Sequence, residues 1–281
     1  MSKISVKKIN NKEVSAIDIV SSGPGPKILG EDLFQELYAN IFLVGKKKSG
    51  KTSAIFKILK ESVGPETKII LFVSTVFKDA NWLHIIEHFK KVGISITPFE
   101  SIYDERGNDR IKILTQNLAA EAKQQFEKSQ APPKQDIIPR SKWIAVDEQL
   151  EQESESEEEE EPEYIAPEWI VVFDDLSNEL HAESIDFLLK RNRHFKMKTI
   201  ISSQYWHDVM PSSRMQIDYL LLFPGIPAEK LKSIWKESDV SITYDHFAKL
   251  YCHATQKKYN FFYIDTRNDK FRHNFNQEYI I

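Results

Sequence analysis

The chain is predicted to fold as an α/β protein, a three-layer sandwich with helices on both faces of a mostly parallel central sheet. Three observations carry that expectation. Short apolar runs of strand length alternate along the chain with helix-length amphipathic stretches, the arrangement of a parallel sheet covered on both faces. One of those runs, Ile41 to Val44, leads through a glycine- and lysine-rich loop straight into a helical stretch. The composition is that of a chain with a real core, 41% hydrophobic over 281 residues, long enough for one large domain with an insertion or for two small ones.

Residues 1–30 are expected to form a leader. Their periodicity is weak, and they contain the breaker cluster Ser22-Gly23-Pro24-Gly25-Pro26. The domain proper then spans 31–281. Tyr38 to Val44 is its first core strand, and Ser53 to Leu59 supplies the helix after the loop. Lys68 to Ser74 is a continuous apolar run, as expected for a strand covered on both faces. Trp82 to Val92 reads as a helix, Ile94 to Thr97 as a short strand, and Asp109 to Lys128 as a long polar helix.

From 129 to 167 the pattern fails. Ala131-Pro132-Pro133 precedes an acidic, serine-containing run that ends in Glu157 to Glu161. Such a composition cannot bury enough apolar surface to offset the cost of ordering, so a disordered acidic insertion is expected, with Trp143 to Val146 as a short docking segment inside it. Periodicity returns at the strand Trp169 to Asp174. A helix over about 178–191 follows, then strands at Thr199 to Ser203 and Tyr219 to Phe223. Helices at Ala228 to Lys236 and Tyr244 to Ala254 precede a late strand, Asn260 to Asp265.

The loop itself carries chemistry. Gly45-Lys46-Lys47-Lys48-Ser49-Gly50-Lys51-Thr52 matches G-x-x-x-x-G-K-T, and Ser53 continues it into the helix. A loop that cradles phosphates must leave a buried strand and enter a helix, so that backbone N–H groups and the positive helix end converge on the anion. The setting therefore implies a P-loop NTPase fold binding ATP with Mg2+. Lys51 is assigned to the β- and γ-phosphates, and the Thr52 hydroxyl to magnesium. Gly45 and Gly50 allow close approach of the backbone.

Asp174 and Asp175 end the apolar strand from Trp169. A carboxylate there suits a magnesium site beside the phosphate loop, with Asp174 binding through the water shell and Asp175 polarising the attacking water. The alternative is a strand followed by a capping aspartate. Gln204 directly follows the strand ending at Ser203, in reach of a γ-phosphate or of that water. Alone it would read as a loop residue.

In order, Arg191-Asn192-Arg193-His194, Ile200-Ile201-Ser202-Ser203-Gln204 and Met210-Pro211-Ser212-Ser213-Arg214 resemble the segment after Walker B in viral DNA-packaging ATPases of the poxvirus, giant virus, virophage and Polinton type, within the FtsK–HerA superfamily. The resemblance runs from about 38 to 265. It implies a homo-oligomeric ring that pumps double-stranded DNA into a capsid, with a capsid or portal component as partner. It also implies a place in the host cell cytoplasm or a viral factory, or in association with the virion. Each site of such a ring is completed by an arginine of the neighbouring subunit, Arg214 as first choice and Arg193 as second. The alternatives are a surface arginine or a local salt bridge for Arg214, and a helix C-terminal cation for Arg193. The superfamily usually carries Glu where this chain has Asp175, which makes Glu179 a candidate helper. The acidic insertion departs from the family pattern.

Bulk properties narrow the remaining choices. No apolar stretch approaches the roughly 20 residues needed to cross a bilayer, so no membrane span is expected, and no secretion signal follows Met1. Cys252 is the sole cysteine, which excludes an intrachain disulfide and fits a reducing compartment. Removing the 11 acidic residues between Asp147 and Glu163 from a net charge of −4 leaves +7, a mildly basic body suited to a polyanion or simply to solvent. Lys257-Lys258-Tyr259 and Arg267 to His273 make a basic, aromatic C-terminal region that suits DNA phosphates or a solvated strand edge. His84 and His88 share a helix face without an indicated third metal ligand, so an ordinary helix face is expected there. A GTPase would need an N-K-x-D motif, which is missing. A small-molecule kinase would need an Arg-rich lid, for which only Arg106 and Arg110 are placed. A nucleotide-binding interaction protein with little turnover is the remaining alternative.

Overall fold

The computed structural model describes residues 26–129 and 164–280. The expected leader up to residue 25 and residues 130–163 of the expected insertion, with its docking segment Trp143 to Val146, lie outside the described residues. In chain order the strands are β1 (Lys27–Ile28), β2 (Asn40–Val44), β3 (Lys68–Val73), β4 (Ser95–Phe99), β5 (Tyr164–Ile165), β6 (Trp169–Asp174), β7 (Met197–Ser203), β8 (Tyr219–Leu222), β9 (Phe262–Asp265), β10 (Lys270–His273) and β11 (Gln277–Glu278). The α-helices are α1 (Lys51–Ser62), α2 (Ala80–Lys91), α3 (Arg110–Ser129), α4 (Glu183–Arg191), α5 (Pro211–Arg214), α6 (Ala228–Glu237) and α7 (Tyr244–Ala254).

Nine strands form one sheet in the order β11-β10-β9-β8-β2-β7-β6-β3-β4. From β8 to β4 all neighbours are parallel, and β9, β10 and β11 extend the sheet antiparallel. The loop strand β2 sits in the middle. β7 lies between it and β6, so the strand carrying Asp174 is one strand removed from the phosphate loop rather than beside it. Register aligns their ends: Val44 pairs with Ser203, and Ser202 with Asp174.

The sheet is buried on both faces because alternate residues of each central strand feed two separate cores. Phe42, Val44, Phe173 and Ile201 pack with Leu188 of α4, Ile234 of α6 and Phe247 of α7. Ile41, Leu43, Val172 and Ile200 pack with Ile55 and Ile58 of α1 and with Ile85 and Phe89 of α2. Each fully buried side chain of this size contributes about 1.5–3 kcal/mol. That two-sided packing makes β2 a rigid base for the loop and explains its continuous apolar sequence.

Three stretches differ from the sequence expectation. The helix expected over about 178–191 breaks into a 3-10 turn, Ser177–His181, and α4, with Ala182 extended between them. The Glu179 carboxylate accepts hydrogen bonds from Ser101 Oγ and the Ile102 amide, which fixes the turn against the segment after β4. At the edges of the expected leader and insertion, β1 pairs in parallel with β5 and the Leu29 N–H donates to the Ile165 carbonyl, which ties these two stretches to each other. The β10–β11 hairpin was not expected. Phe271 is the one buried residue in β10, and a half-exposed edge strand leaves little periodic signal.

Candidate active site

The loop leaves β2 still tied to the sheet, since the Gly45 amide donates to the Ser203 carbonyl at 3.1 Å. Gly45 has no room for a side chain: a Cβ there would stand 2.5 Å from Phe223 Cβ. The chain reverses through Lys48 (φ 62°) and Gly50 (φ 107°), and α1 begins at Lys51 without a side-chain cap or an acidic residue in its first turn. The leading amides of a helix have no acceptor within it, so this end offers donors and positive potential to an anion. Thr52 and Ser53 lie in that first turn.

Lys51 Nζ donates to the carbonyls of Gly45 at 2.8 Å and Lys46 at 3.2 Å, curling back over the loop. Burial pulls its ammonium below the ordinary lysine range, against the attraction of Asp174 and Asp175. Of the three lysines inside the loop, all exposed, Lys47 leans toward Asp175, with Nζ 3.9 Å from Oδ2. The stem of Lys46 lies against Gly225, whose Cβ would meet its Cδ at 3.3 Å.

Asp174 is buried at the end of β6, and Trp82 of α2 donates its indole N–H to Oδ2 at 3.1 Å. Burial pushes its pKa up, while the Lys51 charge and the Trp82 hydrogen bond pull it down. A buried carboxylate one strand from Thr52, facing a lysine, is the hard-oxygen environment magnesium takes when it keeps most of its waters. The donor set therefore fits the ion.

Asp175 adopts a left-handed backbone, φ 55°, with its amide donating to the Ser202 carbonyl and its own carbonyl accepting from Ser74 Oγ. That turn aims a partly exposed carboxylate back across the strand ends. Gln204 Nε2 donates to Asp175 Oδ1 at 3.4 Å. The structure thus brings Lys47, Lys51, Asp174, Asp175 and Gln204 together at one edge of the sheet. Glu179 is not among them: its carboxylate is held by Ser101 and Ile102, which removes it as a helper for Asp175.

The two arginines are elsewhere. Arg214 is nearly buried; its Nε donates to Glu237 Oε2 and its Nη1 to the Val209 carbonyl, both at 2.6 Å, and the guanidinium lies over the Trp206 ring. This is the local salt bridge left open by the sequence. Arg193 is half exposed, with Nη2 3.9 Å from Asp218 Oδ1. Both line a cleft of ≈ 460 Å³ that also contains Asn40, the first residue of β2, at the sheet edge opposite the loop. Neither reaches the phosphate loop of its own chain.

Several weaker sequence signals resolve into packing. His84 and His88 both stand edge-on to the Phe56 ring, and among the described residues no cluster of three or more His, Cys, Asp or Glu could hold a metal ion. Arg110 lies over Phe99. Cys252 is free and exposed. Among the described residues no helix is long and apolar enough to cross a membrane. Sequence reasoning missed Trp82 as the partner of Asp174. It also missed Phe223, whose contact makes Gly45 obligatory. A tryptophan 92 positions from its acceptor leaves no local pattern to read.

No family model matches the chain, and no curated protein matches its sequence. Solved structures do resemble it. The genome packaging NTPase B204 from Sulfolobus turreted icosahedral virus 2 in complex with AMP superposes with a TM-score of 0.50 at 17% identity, covering 88% of this chain and 99% of that one. The same protein in complex with AMPPCP gives 0.49 at 16% identity, with 84% and 97% covered. The cytoplasmic domain of the Thermomonospora curvata type VII secretion ATPase EccC gives 0.43 at 13% identity, covering 80% of this chain and 24% of that one. The first of these likenesses establishes the fold as that of a P-loop NTPase with a mostly parallel sheet.

Proposed function

We propose that the protein is a magnesium-dependent ATPase that assembles into a ring and translocates double-stranded DNA into a viral capsid. One observation carries the reading: Lys51, Asp174, Asp175 and Gln204 converge at the ends of three adjacent strands, around a loop shaped to hold phosphates. The order of those motifs along the chain, and a fold shared with a viral genome packaging NTPase, supply the packaging context.

In this reading the α1 amides and Lys51 hold the β- and γ-phosphates, and Lys51 exchanges the loop carbonyls for phosphate oxygens. Thr52 Oγ1, and Asp174 through water, would hold magnesium, which supplies charge neutralisation on the phosphates when bound. Asp175 takes the proton of the attacking water, and Gln204 fixes the Asp175 carboxylate while touching the γ-phosphate. Gln204 thereby links the state of the nucleotide to β7, the strand between the loop and Asp174.

A cation from a neighbouring subunit completes the site. The geometry favours Arg193 over Arg214 for this role, because Arg193 is half exposed and loosely held while Arg214 is committed to Glu237 and Val209. Partners in this reading are other copies of the chain, duplex DNA and a capsid or portal component, inside an infected host cell. The test is ATP hydrolysis with and without linear duplex DNA, read beside molecular mass with nucleotide bound. Stimulation by DNA and assembly support the motor. One rate in both conditions from a monomer would overturn it, and a phosphorylated small-molecule product would point to a kinase instead.

A further inference from the structure

A triphosphate seated on this loop has a direction. Its γ end must face Asp174, Asp175 and Gln204, which lie on β6 and β7 to one side of β2. The nucleoside end therefore points to the other side, over β8 and β9. Tyr259, three residues before β9, stands there against the loop: a Cβ at Gly50 would lie 3.1 Å from Tyr259 Cδ1. The close approach makes Gly50 doubly necessary, by its φ of 107° and by the ring beside it.

Tyr259 itself has φ 72°, a left-handed conformation that costs a bulky residue on the order of 1 kcal/mol or more and persists only where the surroundings enforce it. Burial does not repay that strain, since the residue is 57% exposed. Lys258 Nζ sits over the ring at 4.7 Å, adding positive charge at the same spot. A strained, exposed aromatic ring pinned beside the first turn of α1 is placed to meet a flat, electron-rich partner.

We propose that Tyr259 is the stacking platform for the nucleobase of the bound nucleotide. The proposal rests on the nucleotide-site reading above and adds the recognition of the base to it. Stacking of this kind accepts any base, because every base has a π face.

The test is calorimetric titration of the full chain with ATP and, separately, with inorganic tripolyphosphate, both with magnesium. The variants are Tyr259→Asn, which tolerates a left-handed backbone and so preserves the turn, and Tyr259→Trp, which keeps a stacking surface. Tyr259→Asn is expected to weaken ATP binding roughly 5- to 150-fold and to leave tripolyphosphate binding unchanged. Tyr259→Trp is expected to retain ATP affinity. Equal weakening of both ligands by Tyr259→Asn would show that the tyrosine shapes the loop, and no weakening of either would show that it does nothing for the base; each overturns the proposal. If the unaltered chain binds neither ligand, the nucleotide-site reading itself fails, and the stacking role with it.

Discussion

Lys198 is the second residue of β7 and is fully buried, yet among the described residues no carboxylate pairs with it. Its Nζ meets Ser62 Oγ of α1 at 3.3 Å and lies 5.8 Å from the centre of the Phe34 ring. Burial lowers its pKa from 10.5 to about 8. At about 1.4 kcal/mol per tenfold change in proton affinity, the charged form costs the folded state roughly 3 kcal/mol. The sign follows from proton counting. Between pH 8 and 10.5 the unfolded chain holds a proton that the folded chain has released, so stability rises with pH through that window and the full penalty applies below it. Lys198→Met keeps the length of the side chain, removes the charge and leaves Ser62 without its partner, a loss of about 1 kcal/mol. The variant is expected to be more stable by roughly 2 kcal/mol at pH 7, with the gain vanishing by pH 10. Urea unfolding of both proteins at several pH values between 7 and 10 measures this. A destabilised variant, or a difference that does not change with pH, would refute the account of Lys198 as a buried, penalised cation.

Other outcomes follow from the site. Asp174→Asn should lower magnesium-dependent ATP hydrolysis by roughly a hundredfold or more. Because burial favours the acid form of Asp174, protons compete with the cation, and magnesium–ATP affinity should begin to fall at a pH above the ordinary carboxylate range, with proton release on binding visible in buffers of different ionisation heat. Arg214→Ala should cost roughly 2–3 kcal/mol of stability. Arg193→Ala should change stability by no more than about 0.5 kcal/mol and yet slow turnover of the assembled protein roughly 10³-fold; unfolding curves beside ATPase rates separate the two. Asp175→Asn keeps the left-handed turn, which asparagine tolerates, and should reduce turnover roughly 10²- to 10⁴-fold. Unaltered activity would indicate a nucleotide-binding protein that uses another base.

The elements legible in the sequence are those whose physics is local. β2, β3 and β6 are covered on both faces, so each reads as an unbroken apolar run, and the loop needs its glycines at fixed offsets. Gln204 is legible because it directly follows a strand. What escaped depends on partners distant in sequence. For Arg214 the sequence leaves a local salt bridge open but does not name its partner, because Glu237, 23 residues on, carries no signal of the pairing. Glu179 lies within reach of Asp175 in the sequence, but the segment after β4 takes its carboxylate. Tyr259 read as part of a basic surface, since only the return of β9 beside β8 brings it to Gly50. The break at Ala182 was invisible because the flanking residues suit a helix.

The proposed motor couples ATP hydrolysis to movement along duplex DNA. The most direct measurement is displacement of a third-strand oligonucleotide from a linear duplex by the purified protein with magnesium and ATP. Release is expected to require hydrolysable ATP and to be abolished by Lys51→Ala. Brisk ATP hydrolysis on the same DNA with no release of the third strand would contradict it.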